Sequence, residues 1–488
     1  MKLYKILLGA ALVGAMSSCT LDVEPQQNVD VENIESVLPQ DLVGGLYNRM
    51  QEMGYYGRNF NLYGDIGTDL ISAAPSTSGR FEFHYELKKN FATTGSDADK
   101  NTFDAIYEVI SNANLILQAE GLDMEDSDVV NAIGQAYFVR AFAYTDLLKA
   151  YGSVPLVLSA PTTVEEAIAL KPELASRSEI FTQVYADIDN AIKNISNTSK
   201  INATVDAAKA LKIRVMLFEN ELNPSKASDN ATEIINLADE LSANYTLTPI
   251  DKLFDYYQGE GGAETIFELK FASNQGRGSN NYGNIYGSPD AGMYGDYIAS
   301  PLLFHAHPDT VILGGVVNDA RFEASEEIGK TLIYQTADKD GSTLNWIMKY
   351  YSHDNTIGLH TPKLLRYAEV LLAKAEAHLI KGETALAAAA INELRQNRIV
   401  GYTDVTTVTL QDVYNEAAKE FAFEGHRMWD LRRTKQEVVV TDRTGVEIAT
   451  EDPTVEGGVN NEGQQTWFPI PEREMLANPN IPENNWGY

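Results

Sequence analysis

The residues of this chain best suited to chemistry lie near its C-terminal end, in Glu420-Phe421-Ala422-Phe423-Glu424-Gly425-His426-Arg427-Met428-Trp429-Asp430-Leu431-Arg432-Arg433. Glu420, Glu424 and Asp430 alternate with Arg427, Arg432 and Arg433 among large apolar side chains. Two carboxylates in such a frame can serve as acid and base. Arginine forks, however, bind carboxylates through paired hydrogen bonds, and charges this evenly matched in sign are expected to satisfy one another. The segment therefore reads as a structural ion-pair knot at a helix end, in preference to a catalytic carboxylate pair.

The element that must position it is a helix. Leu410, Val413, Tyr414, Ala417, Ala418 and Phe421 recur at the spacing of one buried helical stripe. Thr409 with Asp412 three residues on makes an N-terminal cap. Gly425 turns the backbone, and Trp429 and Leu431 return to the core.

No other stretch offers a stronger catalytic or metal set. His305-Ala306-His307 lacks further ligands at metal spacing and reads as exposed loop. Asp338-Lys339-Asp340-Gly341 begins like a calcium loop, but its glycine is misplaced and Lys349 stands where the bidentate glutamate belongs, so a turn is expected. Gly276-Arg277-Gly278 opens no helix, which argues against a phosphate cradle. Neither His-Glu-x-x-His nor Gly-x-Ser-x-Gly occurs. The expectation is a protein that is not an enzyme and uses no metal or cofactor.

A formal charge of −31 excludes the basic footprint that nucleic acid requires, and docking on anionic membrane by charge alone. At the N-terminus, Lys2 and Lys5 precede a short apolar run from Ile6 to Met16 and then Ser17-Ser18-Cys19, the pattern of an export signal. The run is too short to span a bilayer. Cys19 is the single cysteine, so no intrachain disulfide forms. Its place after small residues resembles a bacterial lipobox, and lipidation of Cys19 would tether the chain to a membrane.

Helical patterning continues through Asp41 to Met53, from about Thr102 to Leu117, Asp128 to Tyr151, Ser178 to Ile195, Asp206 to Glu221 and Ala231 to Leu241. Leu364 to Lys381 and Thr384 to Arg398, separated by Gly382 and lined by alanines, read as a helix pair of tetratricopeptide type. Between these groups lies a long insertion, with Thr265 to Phe271 as a strand and Asn274 to Tyr297 as a Gly- and Asn-rich loop carrying Tyr282, Tyr286, Tyr294 and Tyr297. Four tyrosines in a polar loop on a helical frame favour a binding surface.

Three stretches together resemble the SusD/RagB family of nutrient-capturing surface lipoproteins. They are the 420–433 segment, Gln135-Ala136-Tyr137-Phe138-Val139-Arg140-Ala141-Phe142-Ala143-Tyr144 with Tyr151-Gly152-Ser153-Val154-Pro155-Leu156, and the closing Trp467-Phe468-Pro469-Ile470-Pro471. The resemblance implies a mainly α, tetratricopeptide-like scaffold with a loop-rich insertion and a few short strands. Its expected organisation is a lipoprotein signal over 1–18, a helical N-terminal region over 19–244, and a C-terminal region over 245–488 holding the insertion 245–361, in one compact unit. It also implies capture of an oligosaccharide and its delivery to a SusC-like TonB-dependent outer-membrane barrel, from the cell surface, anchored through Cys19. A peptide ligand within the same import system is the first alternative, and a surface glycosidase the second.

By position relative to the family motifs, ligand contacts are expected from Tyr282, Tyr286, Tyr294 and Tyr297, from Arg58, Tyr63, Phe81 and Tyr85 in the early loop, and from Trp346, although Asn345 to Tyr350 also reads as a strand. Arg140, Arg366, Glu369, Arg427 and Asp430 are assigned to holding the fold.

Overall fold

The computed structural model describes residues 39–77, 79–81, 97–273, 281–304, 318–443, 445–451, 467–481 and 483–484. The export signal, Cys19, Tyr85 and His305-Ala306-His307 lie outside them. Apolar periodicity becomes a mainly α array: Pro39–Met50, Asp97–Leu117, Ser127–Ala150, Arg177–Asn194, Val205–Leu222, Ala227–Ser242, Tyr367–Ile380, Thr384–Gln396 and Leu410–Glu420. From Asp97–Leu117 to Thr384–Gln396, successive long helices pack each on the next, and Tyr367–Ile380 also docks on Leu410–Glu420. Small residues allow the close approach: a Cβ on Gly134 would lie 2.8 Å from the backbone nitrogen of Ile195.

Side-chain caps fix the helix starts. Ser176 and Glu179 form a reciprocal capping box, as do Thr409 and Asp412. The expected helix from Leu364 begins three residues later. Lys363–Arg366 is instead a strand, paired antiparallel with Thr265–Glu268, and this pairing closes the base of the insertion. The expected 41–53 helix ends at Met50, and the one expected from Thr102 begins at Asp97.

Within the insertion, Ile333–Ala337 and Thr343–Ile347 form a hairpin whose turn contains Asp338 to Gly341, with Ala324–Ser325 added in parallel. Of the expected Asn274 to Tyr297 loop, the described part, 281–297, is more ordered than a loop. Tyr282–Tyr286 is a helical turn, and Tyr297–Ala299 is a strand paired antiparallel with Ile71–Ala73. That ladder sets Ala73 opposite Tyr297 and so brings the early loop against the insertion. Gly- and Asn-rich composition hid both elements, because pieces of five and three residues show no periodicity.

One core cluster runs through all the long helices. Trp429, 1 % exposed, stacks on Phe60 and meets Phe468 edge-on. Gly64 and Gly425 touch back to back: a Cβ on Gly64 would collide with the Gly425 carbonyl, and Gly425 itself has φ 81. Beside this contact, Asp65 accepts hydrogen bonds from the Gly425 and Arg427 N–H groups at 2.7 and 3.2 Å. Burial pushes the Asp65 carboxyl up to about 7, against the pull of those two donors.

Candidate functional site

The 420–433 charges are buried, and their partners come from far along the chain. Glu420 accepts from Arg366 at 2.8 Å, from Arg398 at 2.9 Å and from Arg321 at 3.1 Å. Glu264 lies against the same Arg366 and Arg398. Glu424 takes Lys349 at 2.6 Å and Arg366 at 2.7 Å. Arg427 grips Asp69 through two bonds of 2.7 and 2.8 Å, and Arg433 grips Glu376. Only Asp430 and Arg433, 2.7 Å apart, pair within the segment. The expectation of mutual satisfaction inside the stretch is corrected to satisfaction across the fold. Burial raises the Glu420 carboxyl, and Arg398, Arg366 and Arg321 overcome that to hold it well below the usual range. A carboxylate pinned in that way is neither acid nor base at neutral pH. Arg140 pairs with Asp187, and Glu369 with Arg214, both inside the array.

The sequence-predicted ligand residues divide into two groups. Tyr282, Tyr286 and Tyr297 are each 1 % exposed, so the structure places their rings in the core and not on a surface. Tyr282 lies 3.8 Å from the His360 ring and 4.6 Å from Tyr350. The turn they anchor has a clear use: the Asn284 carbonyl accepts from Tyr294 N–H at 2.8 Å, and the Ile285 carbonyl accepts from Asp296 N–H at 2.9 Å. Trp346 is also buried; its indole N–H donates to Thr336 at 2.9 Å, and its ring lies against Gly295, whose φ of 62 suits a glycine. Tyr63 is buried with its ring edge-on to Phe81 at 6.2 Å.

Tyr294 is the tyrosine of this group that reaches solvent, at 40 % exposure. The Arg80 guanidinium lies over its ring, 4.5 Å from the centroid. Arg80 is held by Asp296 through bonds of 2.7 and 3.1 Å, and its carbonyl accepts from the Tyr297 hydroxyl. Next in the chain, Phe81 takes φ 62, a left-handed conformation that a bulky residue rarely adopts. Arg58 covers the Phe81 ring at 5.2 Å. Its Nε donates to Asn59 at 2.9 Å, and among the described residues it makes no ion pair. Burial pulls the Arg58 pKa down, and the nearby Arg80 adds to that. The structure thus brings Arg58, Tyr63, Phe81, Tyr294 and Tyr297 together, and adds Arg80 and Asp296, which sequence reading missed.

The 20–217 segment matches the family model described as "Starch-binding associating with outer membrane", and 323–488 matches the model of the SusD family. Two SusD-like proteins of Formosa agariphila, P2 and P38, are 26 % and 25 % identical to the chain; the first alignment covers all of both chains, the second 97 % of this one and 96 % of the relative. The chain belongs to the SusD family. Solved SusD superfamily structures from Bacteroides thetaiotaomicron and Bacteroides vulgatus share its fold, with TM-scores of 0.75 and 0.72 at 20 % and 22 % identity, over 94 % and 92 % of this chain and 100 % and 98 % of theirs.

The two SusD matches leave 218–322 between them, and that interval holds Tyr294 and Asp296. The helical frame and the charge knot fall mostly within the matched segments, whereas Tyr294, Asp296 and Tyr297 of the surface cluster do not. An exposed ring flanked by fixed guanidiniums can stack on a flat ligand face and donate hydrogen bonds to it. Among the described residues no group of His, Cys, Asp and Glu could hold a metal ion, and no helix is long and apolar enough to cross a membrane.

Proposed function

We propose that the chain is a cell-surface glycan-capture lipoprotein, anchored through Cys19, that delivers oligosaccharide to a SusC-like TonB-dependent outer-membrane barrel and does not itself cleave it. The observation that carries this reading is Tyr294: an exposed ring on a rigid frame, braced by Arg80 and backed by Trp346 through Gly295. Pyranose rings present an apolar C–H face to aromatic rings and hydroxyls to charged donors. The description of the family matched by 20–217, starch-binding and outer-membrane-associated, supports the same assignment. The cluster's own carboxylate, Asp296, is 1 % exposed and committed to Arg80, which favours binding over the two-carboxylate chemistry of a glycosidase.

Titration calorimetry against a panel of plant, algal, fungal and host polysaccharides tests the capture step. The expected result is binding of at least one glycan, weakened by Tyr294→Ala and accompanied by no release of reducing ends. Binding that is indifferent to Tyr294→Ala, or hydrolysis by the pure protein, would overturn the reading. Co-purification of an outer-membrane barrel with the lipidated chain tests the delivery step, and its absence would remove it.

A further inference from the structure

The surface cluster carries an electrostatic oddity. In a chain with 69 acidic and 38 basic residues, the field at most surface points repels anions. Inside the fold, the guanidiniums of Arg140, Arg214, Arg366, Arg398, Arg427 and Arg433 each face a carboxylate. Arg58 and Arg80 are different. They stand close enough to repel one another, and among the described residues Asp296 is the one carboxylate fixed against the pair. A guanidinium has five N–H donors. Arg58 uses Nε on a neutral amide oxygen, and Arg80 uses Nε and Nη2 on Asp296. Both terminal nitrogens of Arg58 and Nη1 of Arg80 therefore meet no protein acceptor among the described residues. Each guanidinium also lies over an aromatic ring, Phe81 at 5.2 Å or Tyr294 at 4.5 Å.

Two preorganised forks with, among the described residues, one net unmatched positive charge form a receptor for an oxyanion. Neutral sugars do not need it. We infer that the Arg58–Arg80–Tyr294 cluster selects anionic glycans, whose sugar units carry a carboxylate or a sulfate ester: the ring stacks on Tyr294 while the oxyanion bridges the two guanidiniums. This rests on the glycan-capture reading and names its substrate class. Partial burial of Arg58 lowers the local dielectric and strengthens the contact. The bound anion relieves the Arg58–Arg80 repulsion, a gain that a neutral ligand cannot match.

Matched probes separate charge from sugar identity: an oligogalacturonate and its methyl ester, and a sulfated galactan oligosaccharide and its desulfated form. At least one charged member is expected to bind on the order of tenfold tighter than its neutral counterpart, with the gap closing as salt approaches about 1 M, where the screening length falls to about 3 Å. The member that wins identifies carboxylate or sulfate as the recognised group. Arg58→Gln is expected to narrow the gap between the charged and the neutral member about tenfold. Among the described residues Arg58 closes no ion pair, so this variant is expected to fold, which circular dichroism and the melting profile check. Lys339→Gln, an exposed charge outside the cluster, controls for the general field and should change nothing. Equal binding of charged and neutral partners would overturn the inference and leave glycan capture standing. So would failure of all four probes beside binding of a neutral glycan from the panel. If no glycan binds at all, the capture reading falls with it.

Discussion

Two arginine-rich regions of this molecule behave in opposite ways. Around Glu420, Arg321, Arg366 and Arg398 are buried, and Glu264, Glu416, Glu420 and Glu424 are arranged so that every guanidinium lies against carboxylates. Around Tyr294, Arg80 is exposed, Arg58 is half-buried, and both lie on aromatic rings with donors to spare. Burying an arginine is costly unless carboxylates or other acceptors replace the lost water. At the surface, water satisfies the unused donors until a ligand displaces it. The same side chain therefore serves as an internal tie in one place and an open recognition group in the other. What separates them is the number of carboxylates within reach.

The sharpest way to break the internal arrangement is Glu420→Ala. It leaves three buried guanidiniums short of an acceptor, and a loss of about 3–5 kcal/mol in denaturant unfolding is expected, at the upper end of that range. A change under about 1 kcal/mol would mean that Glu264 and Glu416 compensate fully. Trp429→Ala, which removes the ring between Phe60 and Phe468, is expected to lower stability by about 3–5 kcal/mol. An unchanged melting temperature would count against the packing of Trp429 between Phe60 and Phe468. Neither variant, once folded, should alter glycan affinity beyond a factor of about two, because neither residue belongs to the surface cluster.

That division also explains what sequence could and could not convey. The long helices were legible because apolar spacing, alanine runs and caps such as Thr409 with Asp412 act within a few residues. The charge knot was legible as a knot but not in its pairings, because Arg398 and Glu264 meet only after the insertion folds back through the Thr265–Glu268 and Lys363–Arg366 strands. The tyrosines of 282–297 were legible as a group. Burial of Tyr282, Tyr286 and Tyr297 and exposure of Tyr294 depend on one helical turn and one short ladder, neither of which has a periodic signature. Arg80 gave no local signal at all. It reaches Tyr294 only because Ala73 pairs with Tyr297.

A smaller, pH-dependent effect is expected from the wall behind the cluster. His360 is packed against Tyr282, Tyr350 and Phe271, and burial pushes its pKa down to about 3. An unfolded histidine titrates near about 6.5. The unfolded state therefore binds the proton first, and stability present above that pH is lost as pH falls toward 3, at about 1.4 kcal/mol per pH unit. Asp65, raised to about 7, acts oppositely: its contribution declines as pH rises from about 4 to 7. Comparing unfolding of the wild type with His360→Phe isolates the first effect. The variant should lose less stability between pH 6.5 and pH 5, and an identical slope would show that His360 takes up its proton without unfolding.

The smallest expected effect on stability is also the one that bears most on function. Tyr294 is 40 % exposed, and its backbone is held by Asn284 whatever side chain it carries. Tyr294→Ala should therefore change unfolding free energy by no more than about 0.5 kcal/mol, the usual range for surface positions. If the ring is a stacking platform, the same substitution should weaken glycan binding by about 1–3 kcal/mol, by analogy with the worth of an aromatic platform under a flat ring. Tyr282→Ala should give the reverse: a loss of several kcal/mol in stability, about 3–5 for a fully buried ring, with affinity lost only in so far as the turn carrying Tyr294 shifts. Measured together, the two variants place each tyrosine on one side of the comparison. Should Tyr294→Ala unfold the protein while Tyr282→Ala binds poorly but melts normally, the roles assigned to the two rings would be exchanged. The surface arginines would then be supporting a core residue, and the anion-binding argument built on them would lose its platform.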